Sequence, residues 1–286
     1  MARKGAGKGG RTRRGGRKAA GARLWVRLGT LGVVLAAAAA LAVALSMKAP
    51  AATTVPEALR VQVVRSYPHA GDAFTQGLVY GDDGWLYEST GLVGRSSLRR
   101  VELESGRVVA RADVEAPLFA EGLALVDGKL LQLTWHAGKL LVWDRKRLEH
   151  RSTRRYEGEG WGLCFDGEQL VMSDGSARLA FRDPRTFEAR RRVQVTKVGR
   201  PVRHLNELEC VGGHVYANVW QSEEIVRIDP ESGKVTATID ASGLLSAEES
   251  EGVDVLNGIA HVPDRDTFLL TGKLWPRLFE VRFVPR

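Results

Sequence analysis

The sequence predicts an all-β fold, a five-bladed β-propeller, from three observations. One phrase recurs five times: an apolar residue opens a strand, a glycine-bearing turn follows, and a second strand ends on a polar or aromatic residue. The copies start at Leu78, Leu123, Leu163, Leu208 and Ile259, at intervals of 45, 40, 45 and 51 residues, the length of one blade each. Between them lie segments that read strand, turn, strand, and no long amphipathic helix interrupts the pattern.

Residues 1–27 form a basic leader. Residues 1–48 hold 11 of the 42 Lys and Arg and no Asp or Glu, which leaves 31 basic against 34 acidic side chains in the remainder. A body with that balance offers no basic stripe for a phosphate backbone, so nucleic acid is excluded as a partner. Leu28–Met47 is an uncharged run of twenty residues, long enough to span a bilayer as a single hydrophobic helix. Basic residues ahead of it predict a cytoplasmic N-terminus and an exported, periplasmic-side body, anchored to the membrane through this segment only. The run exceeds the usual signal core of about 7–15 residues, which favours an anchor, while Ala49, Ala51 and Ala52 keep a cleaved, secreted form open. Residues 48–58, rich in Ala, Thr and Pro, read as a linker, and 59–286 as the propeller, expected to be a monomer.

Within 59–286, the intervening segments 96–114, 138–156, 177–195 and 223–241 turn at Ser-Gly, Asp-Arg-Lys, Asp-Pro and Asp-Pro-Glu-Ser-Gly. These residue types preset tight reversals, so each phrase and the segment after it make four antiparallel strands. After the fifth phrase only 277–286 remains. The missing outer strand is therefore expected from 59–67, which would close the ring without a free edge. The two cysteines, Cys164 and Cys210, fall one and two residues past their aligned leucines. That offset turns them to opposite faces of their sheets and predicts two buried thiols rather than a disulfide.

In a propeller, the first strand of every blade lines the central channel, so equal offsets form a ring. Two positions before the aligned Leu or Ile stand Gln76, Glu121, Trp161, Asn206 and Asn257. The antiparallel second strands return to the same face with Thr90, Trp135, Asp174, Trp220 and, just past Gly272, Lys273. A carboxylate, an ammonium, amides and indoles are thus expected at one mouth, with Phe74 and Phe119 as packing residues that also wall the pocket. A purely structural column would repeat small or aliphatic residues instead. Glu207 and Glu209 fit no standard metal motif, and the six histidines, His69, His136, His150, His204, His214 and His261, do not pair at ligand spacing. No metal site is therefore expected. Neither GxSxG nor a complete P-loop occurs, which removes acyl-enzyme and nucleotide mechanisms. Two other classes stay open on residues alone: a hydrolytic propeller with a channel-bound divalent cation, and a non-catalytic propeller that holds a peptide in its aromatic mouth.

The strings YPHAGDAFTQGL (67–78), LYESTGLVGRSSLR (86–99), FAEGL (119–123), QLTW (132–135), GWGL (160–163), MSDGS (172–176), LNELE (205–209), ANVW (217–220), LNGIA (256–260) and TGKLWP (271–276) together resemble the glutamine cyclotransferase family of plants and bacteria. The resemblance covers about residues 60–286 in order. It implies a five-bladed propeller that converts the N-terminal glutamine of peptides or proteins to pyroglutamate with release of ammonia, using neither zinc nor another cofactor. It also implies that Glu121 transfers the proton and that Phe74, Gln76, Phe119, Trp135, Trp161, Asn206, Trp220 and Lys273 form the pocket. AGDAF and Val93 depart from the usual family strings, and neither touches the ring positions.

Overall fold

The computed structural model describes residues 55–286, which are all-β apart from one 3-10 turn at Pro263–Arg265. The leader, the apolar run and linker residues 48–54 lie outside the described residues. β1 (Glu57–Pro68) starts two residues before the boundary set by the sequence pattern. Three four-stranded antiparallel sheets follow. The first is β2 (Thr75–Tyr80), β3 (Leu86–Thr90), β4 (Ser97–Glu102) and β5 (Arg107–Asp113). The second is β6 (Ala120–Val126), β7 (Lys129–Thr134), β8 (Lys139–Asp144) and β9 (His150–Arg155). The third is β10 (Leu163–Phe165), β11 (Leu170–Met172), β12 (Arg178–Arg182) and β13 (Ala189–Gln194). A small hairpin, β14 (Thr196–Lys197) with β15 (Arg200–Pro201), comes next and carried no signal in the repeat.

The remaining strands are β16 (Leu205–Val211), β17 (His214–Val219), β18 (Glu224–Ile228), β19 (Val235–Asp240), β20 (Leu256–Val262), β21 (Thr267–Gly272) and β22 (Arg277–Pro285). They form a fourth and a fifth four-strand unit, the fifth completed by β1 against β22 from Leu59↔Pro285 to Pro68↔Arg277. This is the expected closure by the N-terminal strand. Residues Glu57–Arg60 also pair in parallel with β19, which fuses the two units into one eight-stranded sheet. The first strands β2, β6, β10, β16 and β20 adjoin one another in a closed cycle.

The apolar core follows from this arrangement. It is divided among five clusters, each between two neighbouring four-strand units, such as Tyr87 and Leu98 against Leu123 and Leu130. Each fully buried Leu, Ile or Phe stabilises the packed state by about 1.5–3 kcal/mol. The outer strands β9 (HRSTRR) and β13 (ARRRVQ) are largely exposed, and their arginines guard edges that would otherwise invite strand pairing. At the Asp-Pro reversal, the Asp183 carboxylate accepts the N–H groups of Arg185 (2.7 Å) and Thr186 (2.9 Å), as the turn composition predicts.

The cysteine expectation is corrected. Cys164 and Cys210 form a disulfide, with their Cα atoms 5.4 Å apart. The offset of one residue between them has the opposite consequence to the one expected. β10 and β16 belong to adjacent sheets packed face to face, so side chains on opposite faces of equivalent strands are the ones that meet.

Candidate active site

Four of the five first strands are irregular at the same place. Pairing skips from Thr75 to Gly77 in β2, Ala120 to Leu123 in β6, Leu205 to Leu208 in β16 and Leu256 to Ile259 in β20. Gln76, Glu121, Asn206 and Asn257 all sit in these interruptions. A bulge leaves a residue unpaired and re-aims its side chain, which is how a ladder that alternates inside and outside can direct these groups to one end of the strand cycle. In the third unit, Trp161 precedes β10, which begins only at Leu163.

All nine residues expected from the sequence, Phe74, Gln76, Phe119, Glu121, Trp135, Trp161, Asn206, Trp220 and Lys273, line one open cavity of about 470 Å³. Gln221, Asp254 and Val255 complete its wall. The aromatic rings meet edge to face: Phe74 with Phe119 at 6.1 Å, Phe119 with Trp135 at 5.6 Å and Trp161 with Trp220 at 5.7 Å between centroids. Such contacts hold the wall in one shape.

At the floor, the Glu121 residue is 4% exposed and its carboxylate accepts one hydrogen bond, from Gln76 Nε2 at 2.9 Å. Gln76 is itself held by Asn257 Nδ2, which donates to Gln76 Oε1 at 3.1 Å. Burial pushes the Glu121 carboxyl well above the usual carboxylate range; Lys273 opposes that rise and Glu159 adds to it. Lys273, 6% exposed, is pulled down by burial against the attraction of Glu121 and Asp254, and its ammonium lies 4.8 Å from the Phe74 ring centre. Among the described residues, the side chains of Asn206, Trp220 and Lys273 make no hydrogen bond, so their donors are free to meet a bound molecule.

Some site features escaped the repeat reading. Glu159 accepts the indole N–H of Trp135 (2.8 Å) and of Trp161 (2.9 Å) on the same oxygen and so sets both rings. His136 stacks on Trp135 with ring centres 3.8 Å apart. Glu159 lies two residues before the ring column, where a period of about 45 residues carries no information about it. Leu274, at φ 63°, directly follows Lys273 and is locked there by its N–H on Ala73 O at 2.7 Å. A left-handed leucine is strained, and here it turns the chain so that Lys273 enters the cup.

Three residues expected at the mouth lie elsewhere. Thr90 is buried against Ser97 at 2.7 Å, and Asn257 sits behind Gln76 rather than in the wall. Asp174 is exposed, caps its own turn through Ser176 N at 3.0 Å and lines a separate cavity with Arg178 and Arg203. Thr90 and Asp174 follow local bonds that equal spacing does not reveal, and Asn257 is turned from the wall by its bond to Gln76, its neighbour in the ring.

Comparison with known proteins gives a consistent result. The glutamine cyclotransferase family profile matches residues 34–283. The chain is 41% identical over 227 residues to a glutaminyl-peptide cyclotransferase of Arabidopsis thaliana, covering 78% of this chain and 71% of that protein. Its structure matches the crystal structure of Myxococcus xanthus glutaminyl cyclase with a TM-score of 0.74 and 44% identity, over 81% of this chain and 99% of that one. The all-β architecture is that of the matched glutaminyl cyclase structure. This chain belongs to the glutamine cyclotransferase family.

Proposed function

We propose that this protein is a five-bladed propeller enzyme, a glutaminyl-peptide cyclotransferase, which closes N-terminal glutamine to pyroglutamate and releases ammonia with Glu121 as the proton shuttle. The carrying observation is Glu121 itself: a buried carboxylate at the floor of the cup, with one acceptor bond made and the remaining lone pairs unspent. Four-strand units whose first strands close a cycle support the propeller reading.

In the reaction, the substrate's α-amine attacks the γ-amide carbonyl of its own side chain. One C–N bond forms, the C–NH₂ bond breaks, the amine loses a proton and the departing nitrogen gains one. An α-amine with a pKa near 7.7–8.0 is partly neutral at physiological pH and needs no strong base. Glu121, whose carboxyl burial pushes well above the usual carboxylate range, can take the proton from one nitrogen and return it to the other. The aromatic walls hold a flexible side chain in its ring-closing pose, where much of the rate gain in an intramolecular reaction arises. Trp135 and Trp161 already give their N–H groups to Glu159. Developing negative charge on the amide oxygen is therefore assigned to Asn206, Trp220 or Lys273.

No step calls on zinc or another cofactor, and among the described residues no His, Cys, Asp or Glu cluster is placed to hold a metal ion. The basic leader and apolar run support an exported, anchored body, and the Cys164–Cys210 disulfide suits an oxidising compartment. The deciding experiment incubates the protein with Gln-Ala and measures ammonia with and without EDTA. Release insensitive to EDTA is expected. No release, or release abolished by chelation, would overturn the reading.

A further inference from the structure

We propose that the groove beside the cup, between the end of β17 and the β19–β20 connection, binds the second and third residues of the substrate peptide and prefers basic side chains there. This rests on the cyclotransferase reading and adds to it a substrate class.

The groove is a separate cavity of about 680 Å³ that shares Gln221, Asp254 and Val255 with the cup as a common wall. Once glutamine fills the cup, the rest of the peptide must leave past a wall. The cavity around Asp174 shares no residue with the cup and is lined in part by arginines. The common wall is fixed in place. Asp254 N–H donates to Lys273 O at 2.9 Å, Lys273 N–H donates to Val255 O at 3.0 Å, and the Trp275 indole donates to Asp254 O at 2.9 Å. The backbone that presents Lys273 to the reacting amide thus also sets the groove's entrance.

The groove's chemistry selects charge. Its lining includes Glu223 and Asp254 and no Lys, Arg or His. Neither carboxylate makes an ion pair among the described residues, whereas Arg277 and Arg286 are held by Glu249 and Asp240, each at 2.8 Å. Asp254 is within electrostatic reach of Lys273, and Glu223, exposed on the groove wall, makes no ion pair: Arg286, which lines a neighbouring cavity with it, is held by Asp240. Leu245, Val253 and Trp275 give the groove an apolar side suited to the methylene stem of Arg or Lys.

The test compares kcat/KM for C-terminally amidated Gln-Ala-Ala with versions carrying Arg or Glu at position two or three. Arg is expected to exceed Glu by about 3- to 10-fold, as exposed charge pairs allow, with the ratio shrinking in high salt. Glu223→Gln should bring the ratio towards one and Glu223→Lys should invert it, a change that a merely structural role for Glu223 would not produce. Turnover of Gln-Ala-Ala with equal rates for Arg and Glu peptides would overturn the groove while leaving the cyclotransferase reading intact. No ammonia from any of the peptides would overturn both.

Discussion

Glu121 and Glu207 invite comparison because both are buried carboxyls on first strands, and burial pushes both well above the usual carboxylate range. Their partners separate them. Glu207 accepts the backbone N–H of Ile259 at 2.8 Å and of Leu78 at 3.3 Å, so it ties β16 to β20 and β2. Glu121 accepts one side-chain amide and faces the open cup. Burial and a raised proton affinity are common to both, so the role proposed for Glu121 rests on its unspent acceptor capacity beside the cavity. The repeat explains how the two came to differ. Gly77, Gly122, Gly162 and Gly258 hold the slot that Glu207 fills in the fourth unit. At Gly77 and Gly122 an added Cβ would lie 2.5 Å and 2.6 Å from the N atoms of Leu123 and Leu163. Close approach of neighbouring first strands demands glycine there, and the one exception sends a carboxylate between them.

The largest expected effect breaks the comparison from the catalytic side. Glu121→Gln keeps the shape and a hydrogen-bonding partner for Gln76 but cannot carry a proton. It should lower kcat by about 10²–10⁴-fold with the unfolding midpoint nearly unchanged. Ammonia release near the parent rate would remove Glu121 from the chemistry. Glu207→Leu tests the other side. It strips the acceptor from two buried N–H groups and should destabilise by about 2–5 kcal/mol in denaturant unfolding. At temperatures where the variant stays folded, kcat should remain within about threefold, because nothing near the reacting atoms is lost. A kcat collapse without loss of stability would mean that Glu207, too, takes part in catalysis.

Lys273→Met sharpens the account of how Glu121 is tuned. Lys273 opposes the burial that raises the Glu121 carboxyl, so removing its charge should raise that carboxyl further. The acid limb of the kcat/KM–pH profile should then move to higher pH, alongside a lower maximal rate. An unmoved limb would assign it to another group.

Most of the site was legible in the sequence because a repeating fold turns equal spacing into spatial adjacency. Gln76, Glu121 and Asn206 stand two residues before an aligned leucine, and that offset alone gathered them. The closing strand was legible for a similar reason, since the fifth repeat lacks an outer strand. What escaped depends on facts outside the period. Glu159 acts from a loop, Asp174 prefers its own turn, and Asp254 reaches the wall through its hydrogen bond to the Lys273 backbone. The disulfide is hidden from the offset because opposite faces of equivalent strands look like separation, whereas in sheets that pack face to face they are the faces that meet.

Glu209 gives the smallest and most graded test, because it is the outermost member of the acidic run NELE. It is half-buried within the cycle of first strands, where its carboxylate accepts the His261 N–H at 2.8 Å, and burial raises it to about 8. The folded protein therefore holds a proton here that the unfolded chain releases near its ordinary value of about 4.5. Between those two pH values the folded state binds more protons, so stability must fall as pH rises, by up to about 1.4 kcal/mol per pH unit, and level off above 8. Glu121 and Glu207 act with the same sign. Ionised Glu209 also raises Glu207, so the two lose their protons at each other's expense. Glu209→Gln keeps an acceptor for His261 and cannot ionise. It should flatten the decline measured by denaturant unfolding between pH 5 and 8, and it should leave the acid limb of kcat/KM in place, because Glu209 does not line the cup. If the slope persists and the limb moves instead, the partition of these acids into catalytic and structural groups is wrong at Glu209.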